Sequence, residues 1–377
     1  MSGWGAGKQG DAMLDVHGPA QHAGESAPAS DPAITRHRPQ FSGRAGEYFG
    51  IWFVNLLLSI VTLGIYSAWA KVRTERYFYG NTRLAGASFD YLADPIAILK
   101  GRLIAYAVLI ALGVSLRFSI GLYFVLFVVI WVLMPMIIVL GLRFRARNSA
   151  WRGLSFKFDQ EAGDAYGPFM GWPILSSLTL SLLYPGMIRR QHEFVVEGHR
   201  FGGERFDFRG ETGTYYKPYL VALLGGVVLL VGLMGGMAGV VASQADAAQQ
   251  GGAALNAGVI GVMVAFYAGF FALMVMLRVR YMNLLWNNSH LGEHRFESTL
   301  RVRDMMWIYA SNLVAIVCTL GLATPWAMVR LARYRAEHFA VVAQGGIESF
   351  VAEANEQQSA VGQEFVDAMD VGVDLGI

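Results

Sequence analysis

The sequence predicts an all-α integral membrane protein with internal repeats, carrying short cytoplasmic β-hairpins. Three observations predict it. The 377 residues are 54% hydrophobic and 15% charged, with mean hydropathy +0.40, whereas soluble chains carry about a quarter charged residues. The apolar residues gather into runs of roughly 17 to 25, long enough to cross a bilayer as helices. The basic residues gather at the ends of those runs.

Residues 1–40 are rich in Gly, Ala, Ser and Asp, lack the apolar core of a signal peptide and read as a disordered tail. Residues 351–377 contain Glu353, Glu356, Glu364, Asp367, Asp370 and Asp374 without a basic residue, and read as an acidic solvated tail. The membrane domain is therefore expected over residues 41–350.

Within it the apolar runs are Tyr48–Ala70, Ala97–Ser115, Ile120–Leu142, Tyr166–Ile188, Tyr219–Ser243, Ala254–Leu277 and Met305–Val329. The first, fourth and last share a break and a basic end; we term them type A. The others form two type B pairs. The order is A, B-pair, A, B-pair, A, which suggests internal duplication. Asn55, Gly64, Trp69, Arg73 and Tyr77 recur as Asn312, Gly321, Trp326, Arg330 and Tyr334. The middle A segment keeps only Arg190 and Phe194 of that set, and its expected break is Tyr184–Pro185–Gly186. In the second helix of each B pair, Arg143, Arg145, Asn148 and Trp151 match Arg278, Arg280, Asn283 and Trp286 at the same offsets.

A glycine turn between apolar residues follows each unit: Leu84–Gly86–Phe89, Trp151–Gly153–Phe156, Phe201–Gly203–Phe206 and Leu291–Gly292–Phe296. These read as β-hairpins that could pair into a small sheet. Gly345–Gly346–Phe350 is a degenerate fifth copy and Phe41–Gly43 a half-copy. Asp90 and Asp94, before Pro95, read as caps of the first B helix. Gly232 with Gly236 and Gly235 with Gly239 read as close helix packing.

Of the 30 basic residues, Arg117 alone falls at the tip of a B pair. Lys and Arg favour the cytoplasmic side of short loops. Seven ordinary crossings would put alternate clusters outside. Four crossing B helices with three A segments that turn back put all of them inside, so the A segments are expected to re-enter, broken at residues such as Gly64 where buried backbone is tolerated. Both tails are then cytoplasmic.

No His-Glu-x-x-His, Gly-x-Ser-x-Gly or Walker A motif is present, and the histidines lack metal-ligand spacing. Neither enzyme, cofactor nor nucleic-acid partner is expected. Cys318, the single cysteine, excludes an intrachain disulfide and reads as a small buried hydrophobe. The candidate ligand or headgroup residues are Arg143, Arg145, Asn148, Trp151, Arg278, Arg280, Asn283, Trp286, Arg73 and Arg330. Arg suits anionic groups through its fork of donors, and Trp151 and Trp286 read as belt residues. Asn55 and Asn312 are intramembrane polar candidates, read first as interhelical glue. The expected partners are membrane lipids through anionic headgroups, with a homo-oligomer also open.

The stretch Thr62–Arg73, TLGIYSAWAKVR, and the segment Phe89–Pro95, FDYLADP, resemble the YjgN-like family of bacterial inner-membrane proteins, a domain of unknown function. The resemblance spans about Phe41 to Phe350. It implies a multi-pass protein of the inner membrane and brings no catalytic residues. The leading functional expectation is transport or permeation of a small solute, ion or lipid at the repeat interface. The rival is a scaffold that organises anionic lipid.

Overall fold

The computed structural model describes residues 34–248, 255–346, 348 and 351–352. Its organising element is an antiparallel sheet of eleven strands, so the fold is α+β, not the expected all-α protein with only short hairpins. The strands are β1 (Ile34–His37), β2 (Gln40–Phe41), β3 (Thr82–Leu84), β4 (Ala87–Tyr91), β5 (Ser149–Trp151), β6 (Leu154–Phe158), β7 (His199–Phe201), β8 (Glu204–Phe208), β9 (Ser289–Leu291), β10 (His294–Ser298) and β11 (Phe339–Gln344).

The longer strand of each hairpin is shared between two partners. The first two residues of β4 pair with β3, and its last three pair with β5. The strands β6, β8 and β10 divide in the same way between their hairpin mates and the next unit. Isolated hairpins are marginal in water. Here every hairpin edge is consumed by its neighbour, and that pairing turns expected hairpins into one sheet.

The two ends of the strand order, β1 and β2, are separated only by Arg38 and Pro39. The first half of this segment pairs with β11 and the second half with β3. The sheet therefore returns to the stretch of chain where it began. Proline lacks the donor a ladder needs, and Pro39 stands where the segment changes partner. The expected fifth hairpin at Gly345–Phe350 is replaced by β11 paired with a strand from the other end of the chain. That strand starts at Ile34, inside the expected N-terminal tail. The rest of that tail, the acidic tail from residue 353 and Phe350 lie outside the described residues.

One backbone bond marks five stations around the sheet. It runs from Ser42 to Asn81, Leu92 to Asn148, Asp159 to Gly198, Arg209 to Asn288 and Thr299 to His338, each N–H donating to a carbonyl at 2.9 Å. The inner face holds Leu84, Trp151, Phe201, Leu291 and Val341 with Phe89, Phe156, Phe206 and Phe296. Burying each such side chain contributes roughly 1.5–3 kcal/mol. The sheet thus has its own apolar core.

Between stations the chain runs out into a helical hairpin and back. The long hairpins are α3 (Pro95–Phe118) with α4 (Ile120–Arg147) and, beyond a short pair, α7 (Thr212–Ala248) with α8 (Leu255–Asn287). These four helices are long and apolar enough to cross a membrane, as the B pairs require. Asp94 caps α3, its carboxylate accepting from the Ile96 N–H at 3.1 Å, whereas Asp90 belongs to β4. Between α7 and α8, a Cβ at Gly236 would lie 2.9 Å from Val262, while Gly232, Gly235 and Gly239 face open space. Close packing thus uses one of the four expected glycines.

The A segments are shorter hairpins: α1 (Ala45–Val61) with α2 (Ser67–Gly80), α5 (Trp172–Leu178) with α6 (Tyr184–Gly198), and α9 (Val302–Cys318) with α10 (Thr324–Glu337). A π-helical turn, Gly167–Gly171, precedes α5. A threonine closes each bend. Thr62 Oγ1 donates to Leu58 O at 2.7 Å and accepts from Tyr66 N at 2.9 Å, and Thr319 repeats both distances with Ala315 and Ala323. Leu63 and Gly64 then take positive φ (51° and 91°), as do Leu320 and Gly321 (51° and 96°). In the middle hairpin the bend is at Thr179–Leu180–Ser181, five residues before the expected Pro-Gly break. Pro185 instead starts α6 at a position that needs no donor. Cys318 ends α9 exposed, not buried.

Candidate functional site

The α9–α10 hairpin meets the start of α1 around a cavity of about 860 Å³. The spacing of α10 builds one wall. Trp326, Arg330, Arg333 and Glu337 follow at intervals of four, three and four, which places them on one helical face. Arg303 and Trp307 of α9 are one turn apart and form the opposite wall, and Arg44 closes the end. Four guanidinium groups thus face two carboxylates, Asp304 and Glu337.

The cations are held in different ways. Arg333 donates to Gly43 O at 3.1 Å, so the α1 entry is tied to α10. Arg330 donates to Ser311 Oγ at 2.6 Å and Asn312 Oδ1 at 3.2 Å, and its guanidinium lies 5.1 Å from the Trp326 ring centre. Arg303 is almost fully exposed and only 3.6 Å from Asp304, an ion pair of little energetic consequence at such exposure. Asp304 also accepts from the Tyr334 hydroxyl at 3.4 Å. Burial pushes the Tyr334 phenol up, which keeps it a donor. Trp307 and Trp326 are exposed. Exposed indole beside arginine is the side-chain mixture that suits a bilayer's headgroup layer.

Of the sequence-predicted residues, this site contains Arg330, and Asn312 lies buried behind it as an acceptor for its guanidinium. Asn312 Nδ2 also donates to Ala327 O at 3.3 Å, tying α9 to α10. Asn55 makes the matching bond to Ala70 O at 3.4 Å, but its Oδ1 is buried without a partner and Arg73 is exposed. The middle hairpin has Trp172 where the others have asparagine. Its ring lies against Gly186, which stands where the others have Trp69 and Trp326.

The two B-pair sets do not form matching sites. Arg143, Arg145, Arg278 and Arg280 are exposed, and Arg143 donates to Gln160 O at 2.7 Å. Trp151 is not a belt residue. It is 5% exposed within the sheet core, and its indole N–H donates to Ala87 O at 3.4 Å. Trp286 packs on Phe296 and Phe339 at 6.0 and 5.0 Å. By backbone bonding the partner of Asn148 is Asn288, not Asn283. Their Nδ2 atoms each donate 2.7 Å to the carbonyl four residues back. Asn283 instead holds the β10 exit through Ser298 and Leu300. The expected sequence match is thus five residues out of structural register, because Trp151 lies in β5 and Trp286 still in α8.

Sequence reasoning missed Arg44, Arg303, Trp307 and Arg333. The helical spacing of Trp326, Arg330 and Arg333 was available as a signal. Neither the α1 contact nor the α9 wall could be read without the sheet that brings them together. Among the described residues no group of three His, Cys, Asp or Glu side chains could hold a metal ion.

The comparisons with known proteins agree on one lineage. A family described as bacterial protein of unknown function (DUF898) matches residues 36–368. An inner membrane protein YjgN of Salmonella typhimurium is 27% identical over 83% of this chain and 90% of its own length. An inner membrane protein YjgN of Escherichia coli K12 is 28% identical over 40% of this chain and 38% of its own. No solved structure matches.

Proposed function

This chain belongs to the DUF898 family of bacterial proteins, and on that premise we propose that it is an inner-membrane protein that binds anionic phospholipid headgroups. The observation that carries this is the cavity of α1, α9 and α10, where arginines outnumber carboxylates and two exposed tryptophans flank them. Guanidinium forks match phosphate oxygens bidentately. A basic site at the headgroup level adds about 1 kcal/mol per Lys or Arg toward anionic lipid.

In this reading α3, α4, α7 and α8 cross the bilayer, and the three A hairpins enter it from the sheet side and return. The sheet and both tails are cytoplasmic, and the repeated units descend from internal duplication. Support comes from the return of every helical hairpin to a single sheet, and from the absence of basic residues other than Arg117 at the tips of the two long pairs. The competing reading, transport or permeation of a small solute, ion or lipid at the repeat interface, draws on the internal repeats and broken helices. It is disfavoured because α3 packs against α2, and α7 and α8 against α6 and α9, not against the other long pair.

The test is native mass spectrometry of the full chain with phosphatidylglycerol and phosphatidylcholine, beside solute flux in proteoliposomes. Retained phosphatidylglycerol that is lost in Arg44→Ala/Arg333→Ala, with no flux, is expected. Flux abolished by Arg143→Ala and Arg278→Ala, with no lipid preference, would establish permeation instead.

A further inference from the structure

A second cavity, of about 570 Å³, lies where helix ends meet the sheet. Its wall is apolar and drawn from distant parts of the chain: Phe78 of α2, Phe89 and Phe156 of the sheet, Met282 and Trp286 of α8, and Phe339 of β11. One charged side chain reaches it, Arg335 of α10. Arg335 Nε is buried without a partner, and its only described bond is an Nη donating to Tyr309 Oη at 3.4 Å. It forms no ion pair among the described residues. A buried guanidinium donor left unpaired is costly, and a planar carboxylate fits its fork.

The volume is in the ordinary range of small-molecule pockets and takes a single acyl chain, not a two-chain phospholipid. Met282 and Trp286 belong to the candidate span Gly258–Asn287, so a chain arriving from the bilayer reaches the chamber along α8. We infer that the chamber binds one long-chain fatty acid, its hydrocarbon among the aromatic rings and its carboxylate on Arg335. This site is separate from the headgroup cavity, because Arg330 and Arg333 face the other side of α10.

The test titrates the purified full chain in detergent with dibromo-oleate, read by tryptophan quenching, and with oleate and oleyl alcohol as competitors. One saturable site is expected, with most of the quenching lost in Trp286→Phe. Arg335→Gln should weaken oleate about 10- to 100-fold, the loss of a charge-assisted pair, while leaving oleyl alcohol unchanged. Retained alcohol binding also proves the variant folded. Ala332→Phe, which fills the chamber, should weaken both ligands, and Arg333→Ala should weaken neither. Equal oleate affinity in wild type and Arg335→Gln would overturn the inference, as would unsaturable quenching or tighter binding of lysophosphatidylglycerol than of oleate.

Discussion

At the scale of single residues, polar groups inside the hairpins differ by how completely they are paired. Asn312 bonds both Ala327 O and Arg330, whereas Asn55 bonds only Ala70 O and leaves its oxygen buried and free. Asn312→Ala should therefore destabilise by about 1–3 kcal/mol, and Asn55→Ala by about 1 kcal/mol less, read from thermal unfolding in detergent. His192 offers a second test. Burial lowers it to about 4, and it shares a 2.8 Å hydrogen bond with the Tyr215 hydroxyl. A depressed histidine binds its proton more readily when unfolded. Its contribution is present above pH 6.5 and lost as pH falls toward 4. Burial lowers His199 and His294 in the same direction. Unfolding measured between pH 7 and 4.5 should lose about 2–3 kcal/mol through His192, and His192→Gln should remove that slope. The role of Asn312 as glue was legible from a polar residue in an apolar run. The pairing of His192 was not, because Tyr215 lies on another hairpin.

At the scale of elements, the Thr-Leu-Gly bends were legible because glycine tolerates the positive φ they need. The middle bend was misread. Ser181 takes φ 67° without being glycine, and the nearby Pro-Gly pair gave a stronger but false signal. Gly321→Ala should cost about 1–2 kcal/mol, the left-handed penalty of an L-residue. Ser181→Gly should gain about 0.5–1 kcal/mol by relieving the same strain. Thermal midpoints of the two variants against wild type check both signs. Three of the hairpin glycines were equally legible, since Gly86, Gly153 and Gly292 have positive φ, but in the third hairpin the positive φ falls at Gly202, one residue before the expected Gly203. What local pattern could not supply is the order and extent of pairing between hairpins, because β4 and β5 are separated by the whole α3–α4 pair.

At the scale of the whole molecule, the sheet decides the architecture. Its strands come from both ends of the chain, and the contact of β1 with β11 has no sequence signal beyond a few β-branched residues. Every helical hairpin starts and ends at this sheet, and the proposal from charge counting is that all these bases lie on the cytoplasmic side of the membrane. The cavity of α1, α9 and α10 depends on the gathering of the hairpins at the sheet, since Arg44 precedes α1 while Arg330 and Arg333 lie in α10. The most direct test of this one-sided architecture is cysteine accessibility in a Cys318→Ala background. Cysteines placed singly at Gly86, Gly202 and Gly292, the turns of three separate hairpins, should all react with a membrane-impermeant thiol reagent only after the cytoplasmic face is opened. Labelling of Gly202→Cys in intact spheroplasts, with Gly86→Cys still protected, would contradict it.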